Sequence, residues 1–376
     1  MLKFSITFLT FFTTSFFVQE IDHKILRLFS NTSLYFLELC DKIIIVPLKP
    51  ILLLKGIATI MKKMLLIINP KSGIKKSSQI FETVQNIIRD NEWELDTEYT
   101  EARGHATELA KNATGYDRVV CMGGDGTFNE TVNGVLANPQ KLELGYIPAG
   151  STNDFANGLG LPKSIIRNAR FASNQSAFPT DMGYFRGDNA PPRHFSYVAS
   201  FGMFTEISYS TDQDKKNTFG HMAYIFEGIR TIADLNKFRP FKMRIELPDG
   251  DAFESELIFG AITNSTSLGG LVKLDKKNVH VSDGVFEMIL IKKPKNLAAL
   301  TQTLTELLNN KFRMDTIFFG HVENIRFISE EPLKWTLDGE YAGEITTADI
   351  SVQKGAINLV RPPAIRTKPF LPKKQL

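Results

Sequence analysis

At 376 residues, with 43% hydrophobic and 23% charged residues, the chain lies close to the globular average, which excludes disordered and fibrous classes and suggests two domains. A formal charge of +3 and a pI near 8.6 permit contact with anionic lipid or nucleotide but do not imply nucleic acid, which calls for a concentrated basic stripe. Two cysteines, Cys40 and Cys121, are too few for a disulfide framework and point to a reduced compartment, and no cysteine and histidine spacing resembles a zinc site.

Residues 1–60 differ from the rest. Residues 4–18 are phenylalanine-rich and nearly free of charge, and residues 43–60 are apolar but broken by Pro47, Lys49, Pro50, Lys55 and Gly56. Neither run reaches the roughly 20 apolar residues of a spanning helix. The first has signal-peptide length without a small-residue cleavage site after it. Met61, followed by two lysines and an apolar strand, looks like a natural beginning. Two readings of residues 1–60 therefore stay open: an upstream extension of the start, or a membrane-associating or poorly ordered segment.

From Met64 the pattern is α/β. Residues 64–68 form a continuous apolar run suited to a parallel strand buried on both faces, and it ends in the breakers Asn69, Pro70, Lys71, Ser72 and Gly73. Residues 78–91 predict a helix with Ile80, Phe81, Val84, Ile87 and Ile88 on one stripe. A strand over 93–100, a helix from 104, a strand over 118–122 and a strand around 144–147 follow. Such alternation predicts a parallel sheet with ligands at the carboxyl ends of its strands. The loops 69–73, 100–105, 123–127 and 148–154 all fall at that edge.

After about Ala156, short alternating runs at 195–201, 241–247, 254–262, 285–291, 325–328, 333–337 and 348–352 are punctuated by turns such as Pro248-Asp249-Gly250 and Ser282-Asp283-Gly284. They predict a β-sandwich or barrel, interrupted by helical insertions over 221–235 and 297–309. The expected division is an α/β nucleotide-binding domain over 61–155 with C-terminal return strands, a β-sandwich over 156–360, a basic tail over 361–376, and an active site in the cleft between the two domains.

The stretch 118–134 reads as strand, glycine loop and helix. Gly123, Gly124 and Gly126 let a phosphate approach the open N–H groups and positive end of a helix starting near Thr127 and Phe128. Asp125 would repel that phosphate unless a cation lies between them, and magnesium bridging ATP phosphates is the usual solution; a helix-capping aspartate is the competing reading. The 69–73 loop offers Asn69, a cation at Lys71 and amides at Ser72 and Gly73, while Thr100 can hydrogen-bond a nucleotide. One of Ser151, Thr152, Asn153 and Asp154 is expected to cap the next helix, and Asp154 adds a second carboxylate at the sheet edge.

Together, residues 69–73 (NPKSG), 123–130 (GGDGTFNE), 148–155 (PAGSTNDF), 181–183 (DMG) and 337–340 (LDGE) resemble the diacylglycerol kinase catalytic-domain family, over roughly residues 61–363. The resemblance implies ATP-dependent phosphorylation of a lipid hydroxyl, with diacylglycerol giving phosphatidic acid as the leading reading. By motif position, Asn69, Pro70, Lys71, Ser72, Gly73, Thr100, Gly123, Gly124, Asp125, Gly126, Thr127, Phe128, Asn129, Glu130 and Ser151 are the expected ATP contacts. Asp125, Asp154 and Asp181 match a magnesium-linked acidic network, with Asp125 nearest the ATP-bound Mg2+, and Glu340 matches the general base. Ser151 stands where threonine is common. Similar bacterial enzymes also carry a structural magnesium at the turn where Asp283 and the carbonyl of Val285 match but His280 replaces an oxygen ligand.

The resemblance further implies a cytoplasmic enzyme peripheral at the inner face of the membrane, and it admits a homodimer. Sphingosine-type and ceramide-type lipid kinases are alternatives. NAD kinase shares the GGDGT loop, but residues 145–154 lack its Gly-x-x-Gly-Phe pattern, and retention of Asp125, Asp154, Asp181 and Glu340 argues against a non-catalytic sensor. Phe201, Met203, Phe204, Phe219 and Phe226 read as core in preference to a lipid slot.

Overall fold

The computed structural model describes residues 61–73, 78–202, 239–268, 272–275, 277–313 and 315–363. The readings of residues 1–60, of the 221–235 helix, of Met203, Phe204, Phe219 and Phe226, and of the tail beyond 363 lie outside these residues. The chain opens on β1 (Lys62–Ile68), α1 (Ser78–Asp90), β2 (Trp93–Tyr99), α2 (His105–Lys111), β3 (Arg118–Gly123), α3 (Asp125–Ala137) and β4 (Glu143–Pro148). The strands pair in parallel in the order β4-β3-β1-β2, with Ile68 opposite both Tyr99 and Met122, and Gly123 opposite Pro148. Their carboxyl ends are therefore level, and the loops that follow them rise side by side.

Two further helices, α4 (Asp154–Leu159) and α5 (Ile165–Asn174), complete this half. The inner strands β1 and β3 are apolar on both faces because both are covered, whereas the edge strand β2 is not. Met64, Leu66, Ile68, Val120 and Met122 pack with α1 and α5, while Leu65, Ile67, Val119 and Cys121 pack with α2 and α3. The expectation did not include α5, which packs through Ala169 and Ala172 with Ile165 beside them.

The second half consists of β5 (Ala177–Gly187), β6 (Ala190–Phe195), β7 (Val198–Gly202), β8 (Phe241–Glu246), β9 (Ala252–Thr263), β10 (Ser267–Leu268), β11 (Val272–Lys273), β12 (Phe286–Lys292), α6 (Leu297–Leu308), β13 (Ile317–Val322), β14 (Asn324–Leu337) and β15 (Glu340–Val360). The pairings among these described strands are antiparallel. Their inner faces enclose Phe185, Phe195, Phe201, Phe327 and Trp335. Phe201 is wholly buried with its ring centroid 4.8 Å from that of Trp335, so it is core.

Three sequence runs are corrected. The run 195–201 divides between β6 and β7, because the carboxylate of Asp338 takes the amides of Ser196 and Tyr197, and it also accepts from Val198, where β7 begins. The runs 325–328 and 333–337 are one strand, β14, with an irregularity in its pairing between Ile328 and Leu333. β15 leaves the antiparallel array at its end, where Asn358 and Leu359 pair in parallel with Glu143 and Leu144 of β4. Both halves thereby share one continuous 13-stranded hydrogen-bonded sheet.

Candidate functional site

Three of the level loops are locked together through atoms that only glycine leaves room for. A Cβ on Gly150 would lie 2.6 Å from the Cα of Gly124, and a Cβ on Gly73 would lie 3.0 Å from Ser151 Oγ. Asn69 fixes the first loop: its Nδ2 donates to Thr127 Oγ1 at 2.8 Å, and its Oδ1 accepts from Lys71 N at 2.9 Å. Asn153 fixes the third by bonding both N–H and C=O of Gly150 with its amide.

The start of α3 decides between the two readings of Asp125. The N-cap is Gly124, with extended backbone and no side chain bonded to the helix end. Asp125 is already the first helical residue, so the capping reading is overturned. Its Oδ2 accepts from Asp154 N at 3.0 Å, while Oδ1 is buried with no hydrogen-bond partner. Burial, reinforced by the neighbouring Asp154 carboxylate and more weakly by Asp338, pushes the Asp125 carboxyl up to about 7. Asp154 is itself buried and accepts from Ser267 Oγ at 2.8 Å. The expected side-chain cap of α4 is also corrected: the N-cap position is Asn153, but its side chain bonds back to Gly150 and not to the helix.

Several predicted nucleotide contacts have other occupations. Phe128 is wholly buried, stacked between Tyr146 at 4.4 Å and Phe155 at 5.1 Å, so it is core. Asn129 donates to Asp338 Oδ2 at 2.6 Å and to the carbonyl of His194, which ties α3 to the antiparallel half. Glu130 accepts from Gly104 N at 2.8 Å and thus holds the loop after β2. Gly123 is buried within β3, where a Cβ would meet Thr127 at 2.6 Å. Thr100 is buried, with its N–H bonded to Ile68 O at 2.9 Å; Pro70 shapes the turn beside it; and Ser151 is exposed at the loop rim.

Glu340 opens β15 directly after the Asp338-Gly339 turn. Its Oε1 lies 3.1 Å from where a Cβ on Gly126 would stand, so the carboxylate faces the start of α3. Its Oε2 pairs with Arg103 from the loop between β2 and α2. The turn is held by Asp338, the second residue of the LDGE run. Asp338 is 4% exposed, and its two oxygens accept from the amides of Ser196, Tyr197 and Val198 and from Asn129. Burial raises its carboxyl, against the pull of those donors.

Asp181 is not gathered with Asp125 and Asp154. Its carboxylate accepts from Gly284 N at 2.7 Å and Gly355 N at 2.6 Å, and burial raises its carboxyl. The link to Asp154 is indirect. Asn264 donates to the carbonyl of Asp181, and hydrogen bonds within residues 263–267 lead on to Ser267 and Asp154.

For the ATP-linked magnesium, Asp125 and Asp154 fit: an orphaned buried carboxylate oxygen beside a second carboxylate is a place that a cation would satisfy. The structural magnesium fits poorly. Asp283 Oδ1 accepts from Val285 N, the Asp283 carbonyl already receives Lys354 Nζ at 3.2 Å, and His280 Nδ1 is buried without a hydrogen-bond partner. Among the described residues no three His, Cys, Asp or Glu side chains gather as a metal site.

Comparison with known proteins supplies the family. The family model "Diacylglycerol kinase catalytic domain" matches residues 63–185, and "YegS C-terminal NAD kinase beta sandwich-like domain" matches 198–361. A diacylglycerol kinase of Bacillus subtilis is 33% identical over 287 residues, covering 75% of this chain and 91% of that protein. One from Staphylococcus carnosus is 28% identical, covering 76% and 90%. A crystal structure of a proposed diacylglycerol kinase from Bacillus anthracis superposes with a TM-score of 0.68 at 26% identity, covering 81% of this chain and 98% of that one. The chain belongs to the diacylglycerol kinase catalytic-domain family and is a lipid kinase with a C-terminal β-sandwich-like domain.

Proposed function

We propose that the chain transfers the γ-phosphoryl group of ATP to the free hydroxyl of diacylglycerol, giving phosphatidic acid, in a cleft between the α/β half and the antiparallel half. The observation that carries this reading is the Glu340 carboxylate facing Gly126 at the open start of α3, beside the Asp125–Asp154 pair. An open helix start framed by Gly124, Gly150 and Gly73 suits phosphate oxygens, which would bond its N–H groups and lie at its positive end. Lys71, Thr100 and Ser151 rim the same edge.

Glu340 is the residue placed to take the proton from the lipid hydroxyl as that oxygen attacks phosphorus. Asp125 and Asp154 are the residues that would hold a magnesium ion, whose chemistry when bound is to neutralise phosphate charge. Asp181 then acts at a distance, by holding the Gly284 turn and β15 at Gly355. Because the acceptor resides in a bilayer, the enzyme is expected to work at the inner membrane face as a peripheral protein; no helix among the described residues is long and apolar enough to cross.

The test is phosphorylation of a lipid panel (diacylglycerol, sphingosine, ceramide) by the purified full chain with labelled Mg-ATP. Label entering diacylglycerol first, and its loss in Glu340→Gln, is the expected result. Label in no lipid would sink the proposal, and preference for sphingosine or ceramide would replace the substrate while keeping the reaction.

A further inference from the structure

Arg103 belongs to none of the predicted sets, yet it is the cation that meets Glu340. The pair joins the loop after β2 to the first residue of β15, 237 positions apart in sequence. It is not built for stability: the Arg103 side chain is 73% exposed and that of Glu340 44%, and exposed pairs contribute about 0 to 1 kcal/mol.

The loop that carries Arg103 is nevertheless held from several directions. Glu101 N donates to His105 Nδ1 at 3.1 Å, Lys71 Nζ reaches the Glu101 carbonyl at 3.4 Å, and Gly104 N donates to Glu130 Oε1 at 2.8 Å. Thr107 Oγ1 bonds the Glu130 carbonyl at 2.9 Å. Gly104, at φ +85, makes the bend that most residues resist. On the other side of the carboxylate, Gly126 presents no Cβ and lets Oε1 settle against the start of α3. Arg103 and Gly126 thus bracket one carboxylate, one by attraction and one by leaving room.

We propose that Arg103 is a positioning residue for the reaction: it holds the Glu340 carboxylate over the start of α3, at the place where the acceptor hydroxyl must lose its proton. The inference rests on the reading of Glu340 as the base. A guanidinium offers a planar fork that keeps a carboxylate in one orientation, whereas a lysine ammonium is a point charge that fixes distance but not angle.

The experiment measures kcat and KM for ATP and for diacylglycerol in mixed micelles, using the full chain as wild type, Arg103→Ala, Arg103→Lys, Glu340→Gln and the double variant Arg103→Ala/Glu340→Gln. The expected result for Arg103→Ala is a fall in kcat of about 10-fold to 100-fold, with both KM values within about 2-fold, since loss of orientation acts on the chemical step. Arg103→Lys should recover part of the loss. In the Glu340→Gln background, removing Arg103 should change the residual rate by less than about 2-fold, because the group it positions is already gone. A raised KM for ATP with kcat retained would make Arg103 a phosphate ligand and overturn the proposal. So would wild-type turnover of Arg103→Ala, or losses that multiply in full in the double variant. If Glu340→Gln alone turns over like wild type, the base reading fails, a result distinct from all of these.

Discussion

Asp125→Asn should stabilise the ligand-free protein while abolishing turnover, and the stabilisation should grow with pH. The wild-type carboxyl is raised from 3.8 to about 7, first by burial and next by Asp154. Between those two values the unfolded chain has lost its proton and the folded chain has not, so stability falls as pH rises from about 4 to about 7 and stays low above. At about 1.4 kcal/mol per pKa unit the ceiling on this loss is about 4 kcal/mol. The site keeps some solvent access, so a gain of about 2 to 4 kcal/mol for Asp125→Asn at pH 8 is the working expectation. Asparagine keeps an oxygen for the amide of Asp154, so little else changes. Urea unfolding of both proteins at pH 5, 6, 7 and 8 without metal reads this contribution together with the reciprocal relief of Asp154. A difference in stability that stays constant across that range would refute the assignment of a buried, cation-seeking carboxylate. At pH 8, magnesium with ATP should raise the melting temperature of the wild type more than that of the variant.

Gly126→Ala places a methyl 3.1 Å from Glu340 Oε1 in a helix that otherwise welcomes alanine. Circular dichroism melts should show the fold kept or slightly stabilised while steady-state kcat drops by about 10-fold or more. Asp338→Asn puts an NH2 group against donors whichever way it turns, since both carboxylate oxygens accept from N–H groups. Chemical denaturation should report a loss of about 2 to 4 kcal/mol together with lost activity. Phe128→Ala removes a buried ring stacked on two others and should cost about 3 to 5 kcal/mol by the same measurement; a loss confined to ATP binding would return Phe128 to the ligand set.

The parallel half was legible because its signals are local: continuous apolar runs at β1 and β3, an alternating run at the edge strand β2, loops of glycine and polar breakers after them, and the helices between. The antiparallel half was legible as strands but not as pairings, since what divides 195–201 is a carboxylate from residue 338 and what joins 325–337 is a register change. In the site, motif position located the glycines whose missing Cβ lets neighbouring groups close in, as Gly124 against Gly150 and Gly126 against Glu340. It misled where the neighbours of a glycine loop look toward a ligand in sequence but turn elsewhere in space. Thr127, Phe128, Asn129 and Glu130 are consecutive on α3, and their side chains go to Asn69, to the core, to Asp338 and to Gly104 respectively. Helical rotation of about 100° per residue, and not a shared ligand, accounts for a motif in which so many adjacent residues matter. Arg103 lay beyond local reading because its partner is in the other half.

That division of labour on α3 bears on how the proposed base would reach a phosphate. The first turn of the helix is left open, the second grips the turn that carries Glu340 through Asn129 and Asp338, and Glu130 grips the loop that carries Arg103. The carboxylate, its cation and the open helix start are thus referred to one rigid element. β15 adds a second constraint, running from Glu340 at the site to Leu359 beside Leu144 of β4, the strand whose carboxyl end carries the Gly150 loop. With Glu340 tied to the loops at the carboxyl edge of the parallel sheet by both a helix and a strand, the proposed chemistry needs no large closure to bring the proposed base and a phosphate together. The geometry to be completed on binding is that of the lipid hydroxyl, which must arrive between Glu340 and the start of α3.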